Sequence, residues 1–205
     1  EVQFWKQSNQ LVQGPKEWDT LRKRHADFTF AKVFWWYNMY SSADWSLTPR
    51  PMYPADGRKI PDIYTTPSDL RDELQSRLGR FPLFNFWGPT ASIASSRWIA
   101  DSATVVHERY DPDLLMVYLP HLDYDLQRHG PDHPASTLAM ADIDQVAGDL
   151  IDKFQRDGRH IVVVSEYGIT AVRDAVYPNR VLRETGLLQV RNELERDVLD
   201  PGGSV

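Results

Sequence analysis

Residues 114–165 set the fold: LLMVYL (114–119) is a short apolar run, residues 135–157 carry a helical period, and HIVVVS (160–165) is a second apolar run. The two runs are short, rich in β-branched residues and bounded by turn signals, so they read as buried strands. Between them Ile143, Val146, Ala147, Leu150, Ile151 and Phe154 recur at three and four, the stripe of a helix that covers a sheet. A strand, a long helix and a strand make a βαβ unit with parallel strands. The expected class is therefore α/β, a mainly parallel sheet covered by helices on both faces.

Outward from this unit, TFAKVFWWY (29–37) and Leu83–Trp87 also read as strands. Ser68 is placed to cap a helix carrying Leu70, Leu74 and Leu78 and ending at Gly79. Ser96 is placed to cap another, with Ile99, Ala103, Val106 and Tyr110 on one face. SLTPRPMYPADGRKIPDIYTTP (46–67) holds five of the fourteen prolines and reads as an irregular surface excursion. There is no internal repeat, and 205 residues with 41% hydrophobic content fit a single α/β domain over 1–205. The chain starts without Met and ends in DPGGSV, which raises the expectation that both termini are cuts within a longer polypeptide.

Bulk chemistry narrows the function. A net charge of −6 argues against gripping duplex nucleic acid or an anionic membrane through bulk electrostatics. No apolar run reaches the roughly 18 residues needed to cross a bilayer. The absence of cysteine removes disulfides, thiolate catalysis and Cys-ligated zinc, and fits a reducing, cytoplasmic compartment. A metal would have to sit on carboxylate, imidazole, hydroxyl or amide.

In an open parallel sheet the ligand crevice lies beyond the carboxyl ends of the strands. Asp123 follows the 114–119 run and Glu166 follows Ser165, so neighbouring strands would bring two acid-bearing loops to one edge, a common way to hold a divalent cation. Acids after strands also serve simply as turn and helix caps. Tyr118 to Pro131, with its Tyr-Leu start, Asp123 and Gly-Pro end, is followed by the amphipathic segment and then by Ser165-Glu166-Tyr167-Gly168. This frame resembles the type I phosphodiesterase and nucleotide pyrophosphatase branch of the alkaline phosphatase superfamily.

The resemblance implies an alkaline-phosphatase-like fold, incomplete here, and a metal-dependent hydrolase of phosphodiester or nucleotide pyrophosphate bonds. Its substrate would be small and phosphorylated or nucleotide-like. It also implies divalent metal, zinc at two sites with manganese as the alternative, held by Asp123, Gln127, Glu166 and Tyr167. Gln127 and Tyr167 stand where the family places histidines, and Glu166 where it places aspartate. Asp125 and His129 offer the same Asp-x-x-x-His spacing in a second register. No residue matches the family's nucleophile, which is expected upstream, or its last histidine. Thr90 sits in the wrong order for that role. The departures at 127 and 167 equally suit a non-catalytic binding or scaffold relative with a degenerate metal site.

Three further residues are candidates for substrate contact. Asn38 and Tyr40 lie at the exit of the aromatic run VFWWYNMY (33–40), which reads either as a buried strand or as a stacking surface. Arg58, on the proline-rich excursion with Arg50 and Lys59, can clamp a phosphate or remain a solvated loop cation.

Overall fold

Strand β1 (Phe30–Val33) is buried along its whole length, because its side chains alternate between two covered faces. Ala31 and Val33 point into the main apolar cluster with Phe34, Leu47, Ile63, Leu70, Leu74, Trp98, Ile99 and Val106. Phe30 and Lys32 point the other way, where Trp18 of α1 (Glu17–Arg24) stacks on Phe30 with ring centroids 5.1 Å apart. The computed structural model describes residues 7–205, in two compact units: the first ends at Thr170 and the second is Ala171–Val205.

In the first unit β1 is flanked by parallel neighbours, β2 (Trp45–Pro49) and β4 (Leu114–Val117), and β3 (Ile63–Thr66) runs antiparallel to β2. The order is β3-β2-β1-β4, with Phe30 opposite Leu114 and Val33 opposite Val117. This is a mostly parallel sheet flanked by helices, as the sequence indicates. Helix α2 (Asp69–Leu78) buries Leu70 and Leu74, and α3 (Ile93–Tyr110) buries Ile99, Ala103 and Val106 on the predicted face. The N-cap of α3 is Ser92 rather than Ser96, which lies a turn inside and is fully buried.

Helix α5 (Pro134–Arg156) forms where its period places it and buries Val146 and Phe154. Its packing partners are α3 and α4 (Leu122–His129), with Phe154 edge-on to His107 of α3 at 4.8 Å. It therefore forms a layer over helices rather than over the sheet.

Three expected elements differ. Residues 83–87 form no strand: Leu83–Asn85 is a 3₁₀ turn that buries Leu83 and Phe86, three apart, and leaves Phe84 in solvent. The 46–67 stretch is not irregular throughout, because β2 and β3 occupy its two ends and bury Leu47 and Ile63. Its prolines sit at strand ends and in the tip, where no ladder hydrogen bond is lost. Residues 160–165 form no strand, and Val162, Val163 and Val164 are 83%, 78% and 78% exposed. A strand exists only when a neighbour takes its backbone groups, and among the described residues none pairs with this run. The βαβ crossover expected from β4 through α5 is thus not completed.

The second unit carries α6 (Pro178–Glu184) and an antiparallel hairpin of β5 (Val190–Glu193) and β6 (Arg196–Leu199). Leu194 and Glu195 both adopt positive φ, the twist that a two-residue turn between right-twisted strands requires. Among the described residues no helix is long and apolar enough to cross a membrane.

Lys32 makes the fold sensitive to alkali. Its side chain is 1% exposed, with the ammonium 4.9 Å from the centre of the Trp18 ring. Burial, assisted by the nearby charge of Lys16, lowers its pKa from 10.5 to about 8. A lowered folded-state value means the unfolded chain binds the extra proton between about pH 8 and 10.5. Stability should therefore rise through that window. Above pH 10 the opposite sign enters from Tyr110, Tyr118, Tyr124 and Tyr167, whose values are all raised on folding. Urea unfolding should show a gain from pH 8 towards 10 in the wild-type chain and none in Lys32→Met, which should be more stable by about 1–2 kcal/mol at pH 7.

Candidate functional site

At its carboxyl end β4 stays tied to β1, since Tyr118 N–H donates to the Val33 carbonyl at 3.1 Å. The chain then turns at Pro120 and enters α4, whose first residues are held by His121 N–H donating to Ser96 Oγ of α3 at 3.2 Å. The stretch that reads as a ligand loop is thus a two-turn helix stopped at Gly130, which adopts φ 82°. Helical spacing puts Asp123 and Gln127 one turn apart, and Asp125 and His129 likewise.

The two registers are chemically distinct in the fold. Asp125 is engaged along its own helix, 3.0 Å from Arg128 and 3.9 Å from His129. Arg128 also donates to the carbonyls of Pro89 and Ala91, at 2.6 and 3.2 Å, which docks α4 on the turn before α3. His129 stacks on His133, with centroids 4.7 Å apart, and His133 Nδ1 accepts from Ala135 N–H to cap α5. Asp123 instead meets the second motif, because the Tyr167 hydroxyl donates to Asp123 Oδ2 at 2.6 Å.

The structure therefore brings Asp123 and Tyr167 together, although Glu166 and Tyr167 arrive on an irregular segment with a bend at Glu166 and not on a strand next to β4. Glu166 is exposed, and its charge reaches both Tyr167 and Tyr118. The hydrogen bond to Asp123, with some burial, pushes the Tyr167 phenol up to about 12. Tyr118 is raised further, chiefly by burial and then by Asp123, Tyr167, Tyr124 and Glu166. Burial and Asp123 also raise Tyr124. The charge of one carboxylate, Asp123, thus favours the protonated form of three phenols. Gln127 is exposed on the turn after Asp123.

The substrate-contact candidates are dispersed. Asn38 does not face a crevice: its side chain is fully buried and donates to the carbonyls of Lys32 and Leu47, at 3.0 and 2.8 Å. Tyr40 is 63% exposed and meets Tyr64 of β3 edge-on at 5.8 Å. Arg58 pairs with Asp56 on the excursion tip at 2.7 Å, an exposed pair. Two further residues lie at this edge. Trp36 sits 5.6 Å from the Tyr118 ring, and a hydrophobic run gives no sign of which member stays in solvent. His121 is buried, and burial lowers its proton affinity against the opposing pull of Asp125, Asp142 and the Ser92 backbone.

Among the described residues no three His, Cys, Asp or Glu side chains gather into a ligand cluster. Asp123, Gln127, Glu166 and Tyr167 supply only oxygen: two carboxylates, an amide and a neutral phenol. Such donors suit a hard divalent cation such as manganese, and their carboxylates are also among the groups that bind zinc.

Residues 1–204 match the family described as type I phosphodiesterase / nucleotide pyrophosphatase. Over 96 residues the chain is 28% identical to an uncharacterized pyrophosphatase/phosphodiesterase of Schizosaccharomyces pombe, a span of 45% of this chain and 19% of that protein. The chain thus matches about a fifth of the length of that curated relative. No solved structure matches it.

Proposed function

The chain belongs to the type I phosphodiesterase / nucleotide pyrophosphatase family, and from that premise we propose that it forms part of a hydrolase of phosphodiester or nucleotide pyrophosphate bonds, acting on a small phosphorylated or nucleotide-like substrate. The observation that carries this reading is the hydrogen bond from Tyr167, which follows Glu166 in the chain, to Asp123 beyond the carboxyl end of β4. Asp123 and Glu166 would hold a divalent cation, manganese or zinc, with the Gln127 amide oxygen one helical turn away as a further donor. When bound, such an ion polarises a phosphoryl oxygen and makes the attacking group more acidic.

The side chains themselves perform simpler tasks. Tyr167, protonated at neutral pH, fixes the rotamer of Asp123 by donating to one oxygen. It acts as a donor that orients a ligand and not as an anionic ligand. Tyr118, also held protonated by burial and by the charges of Asp123 and Glu166, keeps a hydroxyl that can donate to a phosphoryl oxygen.

The same Tyr167–Asp123 bond favours a second reading, a binding protein of this family in which the phenol occupies the carboxylate in place of a metal. Titration calorimetry with manganese or zinc, run on wild type, Asp123→Ala and Glu166→Ala, separates the two. Hydrolase action predicts a binding heat that both substitutions weaken. Unchanged affinity in both would remove the ligand assignment, and turnover of an aryl phosphodiester with added metal would remove the binding-protein reading.

A further inference from the structure

Lys32 is a buried cation that no described acid answers. It sits on β1, on the sheet face turned away from the main apolar cluster, and is 1% exposed. Its register partner on β2 is Ser46, also buried, so the neighbouring strand offers a hydroxyl and no charge. Among the described residues its ammonium meets the face of Trp18, at 4.9 Å, and no oxygen accepts a hydrogen bond from it. The charge that acts on it is the ammonium of Lys16, which has the same sign. Burying a charge without an opposite partner is costly, and here a second cation adds to the cost.

Both cations stand at the start of α1, where Lys16 is the N-cap and Trp18 the second helical residue. An N-cap is the usual place for a serine, threonine or aspartate that accepts from the first-turn amides. Lys16 has no such acceptor, and no side chain caps α1. The Lys16 carbonyl takes the N–H groups of Asp19 and Thr20, at 3.0 and 3.2 Å, while those of Glu17 and Trp18 have no acceptor among the described residues. The acids of this turn do not neutralise Lys32. Glu17 is exposed, Asp19 Oδ1 accepts from Ser42 Oγ at 2.8 Å, and neither is among the charges that act on Lys32. One turn further on, Arg22 and Asp44 answer each other.

Two ammoniums and an uncapped helix start therefore contribute positive potential to one place. We propose that Lys32 and the first turn of α1 form a binding site for a small oxyanion, a phosphate or a carboxylate group, held between the ammoniums of Lys16 and Lys32 with its oxygens on the Glu17 and Trp18 amides. A negative charge there compensates the burial of Lys32 and caps the helix in the same contact. Entry needs only local movement, since α1 buries none of its residues fully and its first turn can lift without opening the core. The site lies on the face of the sheet opposite α2 and α3 and uses none of the residues assigned to hydrolysis.

The test titrates inorganic phosphate and acetate into the intact chain at fixed ionic strength, with chloride as the reference, in wild type, Lys32→Met and Lys16→Ala. In the wild type the protonation of Lys32 is followed by the NMR chemical shift of its Cε. A bound anion favours the ammonium, so Lys32 should release its proton at a pH about one unit higher when the site is saturated. Lys16→Ala should weaken the anion about tenfold, the loss of one charge-assisted contact. In Lys32→Met the urea midpoint should no longer respond to phosphate or acetate beyond the general salt effect. That general effect acts on every variant alike, so the difference between wild type and variant is the readout.

A response to phosphate alone identifies a phosphate site, a response to acetate alone a carboxylate site, and a response to both a site for any small oxyanion. Each upholds the proposal. A Lys32 titration that neither anion displaces overturns it, as does a displacement that chloride reproduces or one that Lys16→Ala leaves unchanged. Lys16→Ala removes no core packing, so it keeps the test decisive even if Lys32→Met folds differently. None of these readouts uses turnover, so the site stands or falls apart from the hydrolase reading.

Discussion

Asp123→Asn, made in the full-length protein, is expected to lower kcat/KM for an aryl phosphodiester on the order of a thousandfold, the several kcal/mol that a cation delivers to a phosphoryl transition state. Asparagine keeps the shape of the side chain, and its carbonyl can still accept from Tyr167. Folding should therefore be intact, and the melting temperature is the control. The charge alone is removed. Asp125→Asn is the paired measurement, because Asp125 already answers Arg128 and His129 on its own helix. A loss that follows Asp125 would transfer the role to the Asp125–His129 register. A loss below tenfold at both positions would remove α4 from the chemistry.

Phe34→Ala should cost about 4 kcal/mol of folding free energy, the usual penalty for deleting a buried ring. Phe34 is 3% exposed and touches three other rings, with centroids 4.7 Å from Phe81, 5.7 Å from Phe86 and 6.0 Å from Trp98. Those partners come from the turn before α3 and from α3 itself, so this ring joins β1 to the helical layer. Urea denaturation gives the number, and Phe34→Leu should recover about half of it. A cost below about 1 kcal/mol would show that the cluster repacks without the ring and that the core is organised elsewhere.

What was legible in the sequence was whatever depends on local periodicity. Ile99, Ala103 and Val106 on α3, Val146 and Phe154 on α5, and the Gly79 stop of α2 follow from spacing alone, and the structure reproduces them. What was not legible depends on partners. Trp45 to Pro49 and Ile63 to Thr66 are good strand residues hidden among prolines, and only their mutual pairing reveals them. Residues 160–165 are better strand residues still, yet no described neighbour accepts their backbone. At the site, the aspartate at 123 was visible as a residue after a strand. Its contact with Tyr167 joins positions 44 apart, and no local rule predicts a bond of that range. The helix of residues 122–129 reads as a loop in the sequence because its Gly130-Pro131 ending is also what ends a loop.

Val162 to Val164 carry a practical consequence. A run of bare β-branched side chains whose backbone pairs with no described strand is a template for adding another chain, and it is flanked by only a few charges, Arg159 before and Glu166 after, that act as gatekeepers. Concentrated stocks of this polypeptide should be limited by self-association seeded there, and a single lysine introduced at Val163 would be the first change to make for solubility.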